Sequence, residues 1–395
     1  MSEWVTTPDG VAASAAVECG SAEEIDVSRP GRVSLAPHED AVPHEVQVTG
    51  PISCYNACIA LRNETHEARE VTVEVRIPAW LIAAEFDYFL RKEYLVAPLE
   101  DGDGPLPRPA LAWRMVPGEH QRGLREAVEI DLTLAAGEAV ALSSVEHYPI
   151  TACNERLREL ARDPRARLAM IGQSVQGRPI LALEMGSEDA PAAVFTGTLQ
   201  PGEPSAWAVM AMIEAALADD RLAEGWRLSF IPQTNPDGIY LGRCNTNARD
   251  ELAAFGFEEA AAGGACPQEV QVLWDYLTAR RPVVYVDYHF LRQPNHPYTK
   301  PYFFEPAIYD DPAVAAAAVA LNERYLDISG APQPLTVSVG HEMWRGLASY
   351  QAAATLGAVA FLYQYTGPTT SLKSAQATGP RVMRAALEVC ATLRR

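Results

Sequence analysis

In the stretch Val194–Trp207, VFTGTLQPGEPSAW, Gln200 and Glu203 stand three residues apart, at a turn between an apolar run and the start of a helix. Polar residues follow other apolar runs in the same way. Asn235 and Asp237 come after RLSFIP in NPDG, with Arg243 beyond, His289 comes after VVYVD, and Gln364 comes at the end of AVAFLY. The chemistry such a set serves is metal-assisted hydrolysis. A zinc ion held by three side chains keeps one position for water and lowers its pKa to about 7. A nearby carboxylate takes the water proton, and an arginine stabilises the oxyanion as a carbonyl is attacked. Glu203 and His289 suit zinc by charge and softness, whereas the neutral amide oxygen of Gln200 matches harder cations. Taken singly, each residue has a plainer role. A glutamate after Pro-Gly is a turn residue or cap, and a histidine at a strand end is hydrogen-bonded packing. NPDG turns the chain whatever the function, because Pro fixes one backbone angle and Gly permits the next. Only the shared position at strand ends makes them a set.

In an open α/β sheet, ligands bind beyond the carboxyl ends of the strands, so the elements that place these residues come next. ILALEMG, AAVFTG, RLSFIP, PVVYVDYH and AVAFLYQY have the apolar, β-rich texture of buried strands. Between them, ERLRELARD and the stretches Gln268–Thr278, Pro312–Leu326 and Arg381–Leu393 predict helices. Ser205 is placed to cap a further helix, in which Trp207, Met210, Ile213 and Leu217 recur at helical spacing. Apolar strands alternating with helices predict an α/β fold, a mainly parallel or mixed sheet flanked by helices. Upstream the pattern is alternation: VTVEVRIP puts Val71, Val73, Val75 and Ile77 on one face, and AVEIDLTL does the same with Val128, Ile130, Leu132 and Leu134. Such runs bury one face of an antiparallel strand and predict a small β-sandwich. Leu99–Pro109, acidic and rich in Pro and Gly, reads as a surface loop. The expected organisation is an N-terminal arm or edge strand over 1–41, a β-sandwich domain over 42–146 and an α/β domain over 147–395.

The 395 residues fit two or three domains at roughly one per 150 residues. With 48% hydrophobic residues and no apolar run near the roughly 18 residues of a membrane span, membrane insertion is not expected. The N-terminus, MSEWVTTPDG, has no basic start and no apolar core of a signal peptide. The 7 cysteines are scattered, odd in number and form no CxxC pair, which predicts reduced thiols in a cytoplasmic location. A formal charge of −19 repels nucleic acid and anionic membrane, and no basic run binds phosphates, so neither partner is expected.

Five stretches taken together resemble the zinc carboxypeptidase family: IGQSVQGRPILALEMG, QPGEPSAW, IPQTNPDG, VDYHF and FLYQ occur in the family's order over about residues 148 to 395. The preceding β-rich region, PGE in the turn and GRC after NPDG are most similar to the cytosolic carboxypeptidase branch. The resemblance implies zinc as cofactor, a peptide or small amide as substrate, and metal ligands at Gln200, Glu203 and His289. Arg243 falls near the oxyanion-stabilising arginine and Gln364 on the general-base glutamate; Arg249, Asn235 and Tyr350 are assigned to substrate contact. The chain departs from the family at two catalytic places, since the first ligand should be histidine and the base glutamate. It departs again after NPDG, where the Asn and Arg that grip a terminal carboxylate fall on Ala253, Ala254 or Phe255, with Arg249 close but out of step. Two outcomes follow: a metallohydrolase with a modified site, its base drawn from elsewhere, His341 or Glu342 being candidates; or an inactive pseudoenzyme that binds a partner or small molecule. A third, metal-free enzyme would use Cys244 beside Arg243.

Overall fold

A computed structural model describes residues 4–40, 56–77, 93–102, 104–124, 126–291, 302–329, 335–337, 342–366 and 372–393. The chain divides into two units: Met1–Ala152 with Gly238–Asn245, and Cys153–Asp237 with Thr246–Arg395.

The first unit carries strands β1 (Val5–Thr6), β2 (Val11–Ser14), β3 (Ala22–Arg29), β4 (Arg32–Pro37), β5 (Cys58–Asn63), β6 (Arg69–Arg76), β7 (Leu95–Glu100), β8 (Arg108–Pro109), β9 (Arg114–Met115), β10 (Gln121–Gly123), β11 (Ala127–Leu134) and β12 (Ala139–Ser143). Among the described residues they form one sheet in the order β1-β2-β5-β12-β7-β8, with β9 also on β7, and a second in the order β10-β11-β6-β4-β3. The alternation read in VTVEVRIP is realised: β6 buries Val71, Val73 and Val75 and turns Glu70, Thr72 and Glu74 outward or half-outward. These valines share one core with Val128 and Ile130 of the same sheet and with Ile59, Leu61 and Val140 of the other. Each such side chain contributes roughly 1.5–3 kcal/mol by leaving water.

Three details differ from expectation. Within 1–41, expected as an arm or edge strand, the described residues 4–40 form edge strands β1 and β3 and also β2 and β4, which lie inside the two sheets. The small-residue run Val11–Ser14 is buried on both faces and so shows no alternation to read. β4 pairs with β6 in parallel, within otherwise antiparallel sheets. The acidic loop is also narrower than Leu99–Pro109, since Leu99 and Glu100 pair with Pro109 and Arg108.

The segment Gly238–Asn245 leaves the α/β sequence and is built into this first unit. The Asp40 carboxylate accepts the backbone N–H groups of Cys244 and Asn245. Asn56 donates from Nδ2 to the Arg243 carbonyl at 2.9 Å, and Cys19 N–H donates to Tyr240 O at 3.0 Å.

Helix α1 (Ile150–Leu160) leads into the second unit. There β13 (Ala166–Gln173), β14 (Pro179–Gly186), β15 (Ala192–Gly197), β16 (Arg227–Ile231), β17 (Val284–Leu291), β18 (Tyr302–Phe304), β19 (Leu335–Val337) and β20 (Val359–Thr366) form a mixed sheet, ordered β13-β14-β16-β15-β17-β20-β18-β19. The centre is parallel, β16-β15-β17-β20, and carries antiparallel strands on either side. The helices are α2 (Ala206–Ala218), α3 (Pro236–Tyr240), α4 (Phe257–Ala261), α5 (Gln268–Arg280), α6 (Pro312–Ser329), α7 (Glu342–Arg345), α8 (Ala348–Leu356) and α9 (Leu372–Val389). α9 begins well before Arg381, the expected start, and runs through Pro380. A proline here removes one intrahelical donor, and tertiary packing outweighs that loss. Gly379 lies so close to α2 that a Cβ would meet the Ala208 carbonyl oxygen at 2.5 Å.

Candidate active site

Glu203, His289 and Gln364 are placed by three parallel strands. On β17, residues two apart share a face, so Tyr285, Asp287 and His289 line one side while Val286, Tyr288 and Phe290 line the other. His289 pairs in register with Gln364 of β20, and Asp287 with Thr196 of β15. Beyond β15 the chain turns sharply. Thr198 takes φ 54°, an uncommon conformation for a β-branched residue, and is held by its N–H to Ser205 Oγ at 2.7 Å and its hydroxyl to Pro232 O at 2.6 Å. Ser205 therefore stands at the N-cap position of α2 without capping it with its side chain, since its hydroxyl serves Thr198 instead. The turn closes through Glu203 N–H to Gln200 O at 3.0 Å.

This turn brings the Glu203 carboxylate to the imidazole. Oε2 of Glu203 and Nδ1 of His289 are 2.8 Å apart, and both side chains are at least 96% buried. Oε2 nevertheless has no hydrogen-bond partner, so the two atoms are near without the alignment of a donor and an acceptor. The other ring nitrogen, Nε2, meets Asp287 Oδ2 at 2.9 Å. Burial alone would lower the His289 pKa, but the flanking Asp287 and Glu203 carboxylates reverse that and raise it to about 10.

Glu203 and His289 are side chains of the kind that would hold a divalent cation. A third strong donor is not found: among the described residues no group of three or more His, Cys, Asp and Glu side chains is placed to hold a metal ion. Gln200 is half-exposed in the same turn as Glu203. Gln364, 5% exposed, stands next to His289, where a proton acceptor would be needed and an amide is present.

The remaining predicted residues are placed as follows. Asn235 is fully buried and donates from Nδ2 to Thr246 O at 3.1 Å, so this amide braces the chain on the far side of NPDG. Asp237 is likewise buried rather than a solvated turn residue. Arg249 is exposed, with its N–H on Asn247 Oδ1 at 2.9 Å. Tyr350 is buried in α8, edge-on to Phe304 with ring centroids 5.7 Å apart. Arg243 belongs to the first unit, with its N–H on Gly238 O at 2.8 Å. Ala253 and Ala254 are buried and carry nothing that grips a carboxylate. Cys244 is a buried thiol with Sγ 3.6 Å from Asn56 Oδ1. His341 lies outside the described residues, and Glu342 opens α7. Sequence reasoning missed Asp287 and Thr196. The alternation in YVDYH contained the signal, since it puts Asp287 on the face of His289.

Residues 154–256 match the model of the zinc carboxypeptidase family. This stretch is similar to that family, and it spans well under half of the chain. The solved structures agree on the fold. A metallo-carboxypeptidase from Burkholderia cenocepacia superposes with a TM-score of 0.74 at 15% identity, covering 97% of this chain and 100% of its own. One from Pseudomonas aeruginosa, solved with (2-guanidinoethylmercapto)succinic acid, gives 0.72 at 18% identity, covering 96% and 99%. No curated protein sequence matches the chain significantly. The zinc carboxypeptidase family implies zinc as cofactor. No helix among the described residues is long and apolar enough to cross a membrane.

Proposed function

We propose that the protein is a carboxypeptidase-like metallohydrolase with an altered zinc site, acting on a peptide or small amide. Glu203 and His289 hold the cation, with the Gln200 amide oxygen as a weak third donor. The observation that carries this is the buried Glu203 Oε2, without a hydrogen-bond partner and 2.8 Å from His289 Nδ1. Zinc, when bound in such a site, polarises a carbonyl and activates water. Gln364 can orient a reactant by hydrogen bonding but cannot take up its proton, so turnover is slow by family standards. Of the residues assigned to substrate contact, the exposed Arg249 is retained for the substrate side. Unbridged cysteines at all six described positions support a cytoplasmic setting close to the cytosolic carboxypeptidase branch.

Elemental analysis tests this directly. Protein equilibrated at low-micromolar zinc is expected to retain about one equivalent, and Glu203→Ala to lose most of it; wild-type protein without metal would sink the hydrolase reading. The second reading, a pseudoenzyme that binds without cleaving, is favoured by Gln364, which is close to glutamate in shape and has no proton-accepting charge.

A further inference from the structure

The first unit holds a cleft of about 830 Å³ lined by residues of both its sheets. Sites for small molecules typically run to about 300–1,000 Å³. The floor is aliphatic: Val71 of β6 and Leu134 of β11 face Val96 of β7 and Val140 of β12, each no more than 4% exposed. Leu132 is only partly buried, and Met115 of β9 is 46% exposed although it is large and apolar. A methionine so exposed adds little to the core, and its flexible thioether suits a surface that closes on a ligand.

The charged residues of the lining divide into two kinds. Arg122 and Asp131 are paired with each other; Arg122 also holds Glu129 at 3.1 Å, and Asp131 accepts the Thr72 hydroxyl at 2.8 Å. Arg114 and Glu70 are exposed, and neither side chain has an ion-pair or hydrogen-bond partner among the described residues. One belongs to each sheet, Arg114 to β9 beside β7 and Glu70 to β6 beside β11. Uncompensated charges of opposite sign over an apolar floor match a ligand that is apolar along its length and oppositely charged at its ends. We infer that this cleft binds a short apolar peptide as a zwitterion. Its terminal carboxylate meets Arg114, its terminal ammonium meets Glu70, and its aliphatic side chains lie on the valine and leucine floor. A guanidinium receives a carboxylate through paired N–H donors, which are stronger than neutral hydrogen bonds. His120, exposed on the connection from β9 to β10, offers the carboxylate a further donor. A fatty anion would set a like charge in the cleft with Glu70, and a cationic amphiphile would do so with Arg114. The site lies wholly in the first unit and needs no metal.

The test titrates the full-length protein with leucyl-leucine, EDTA being present so that no hydrolysis consumes the probe. Binding is followed at the Met115 methyl resonance in protein labelled at its methionine methyls, assigned through Met115→Leu. Leucyl-leucine is expected to shift that resonance saturably. Arg114→Ala and Glu70→Gln change exposed side chains and leave the core intact; they are expected to weaken binding by about tenfold and about threefold. Leucyl-leucine amide is expected to bind wild type about tenfold more weakly than the free acid, and to bind Arg114→Ala as well as the free acid does, because the two changes remove one interaction. A Met115 methyl unmoved by millimolar leucyl-leucine overturns the assignment. So does an amide penalty that persists undiminished in Arg114→Ala. Decanoate that shifts Met115 where leucyl-leucine does not, and binds more tightly to Glu70→Gln, would make the cleft a site for a fatty anion and overturn the zwitterion. The hydrolase reading stands or falls separately, since neither Arg114 nor Glu70 belongs to the candidate active site.

Discussion

Gln200→His combined with Gln364→Glu is expected to raise peptide hydrolysis by about 10²–10⁴-fold over wild type at saturating zinc, the range a positioned general base contributes. The two substitutions act on separate deficits. Gln200→His replaces a neutral amide with an imidazole in a turn already closed by Glu203 N–H on Gln200 O, so backbone geometry carries over. Its effect is on occupancy and shows at limiting zinc. Gln364→Glu supplies the missing proton acceptor beside His289 and shows at any occupancy. Alone, however, it adds a third carboxylate around a ring already flanked by Glu203 and Asp287. Like charges at that distance raise the carboxyl pKa and cost stability until a cation enters. Zinc is therefore expected to raise the melting temperature of Gln364→Glu more than that of wild type. At a zinc concentration of 100 times Kd the linkage term is about 2.7 kcal/mol. Initial rates on blocked dipeptides at limiting and saturating zinc check the scheme. Full zinc occupancy in the double variant without any gain in rate would move the fault to the substrate side, where Ala253 and Ala254 replace polar contacts.

The sequence made the α/β strands legible because each is a short apolar run bounded by turns, and because the polar residues fall at the ends of those runs. Glu203 and His289 were found by that logic, and their meeting depends on a feature no pattern displays, the bend at Thr198 with its positive φ. Asp287 was overlooked for a different reason. An aspartate inside an apolar run looks like an interruption until alternation is applied across Tyr285, Asp287 and His289, and its partner Thr196 comes from a strand about ninety residues earlier. Residues Gly238–Asn245 were unreadable in principle: local composition says only that a turn follows NPDG, while the segment's affiliation is set by Asp40 and Asn56 far upstream. The early start of α9 was not read because propensity is a local cost, and the close approach of Gly379 to Ala208 is a tertiary gain. Strand β2 misled in the opposite sense, since a strand buried on both faces carries no period of two.

Asp237→Ala is expected to destabilise the α/β unit by about 3–5 kcal/mol, the cost of breaking a buried ion pair by removing one partner. Asp237 belongs to the NPDG turn, yet it functions as a clamp on the β13–β14 hairpin. Its carboxylate accepts from Ser174 Oγ at 2.7 Å, from Gln176 N–H at 2.8 Å and from Arg178 Nη1 at 2.6 Å. Every one of these partners is a donor, and only an acceptor on both oxygens satisfies them. Asp237→Asn is therefore not a neutral change: its amide nitrogen must face one of the three donors, at a cost of about 1–3 kcal/mol. The full penalty of the alanine variant is moderated because the Arg178 side chain is 23% exposed and can recover water, whereas Ser174 and the Gln176 amide cannot do so as easily. The hairpin is held from the other side by Glu269, which accepts Val175 N–H at 3.1 Å and Asn247 Nδ2 at 2.8 Å, so losing Asp237 loosens one of two attachments. For a unit of this size the alanine variant should melt roughly 6–20 °C lower, with the asparagine variant between it and wild type. Calorimetry on the three proteins decides the matter: equal melting temperatures would show that the turn, rather than the carboxylate, holds the hairpin.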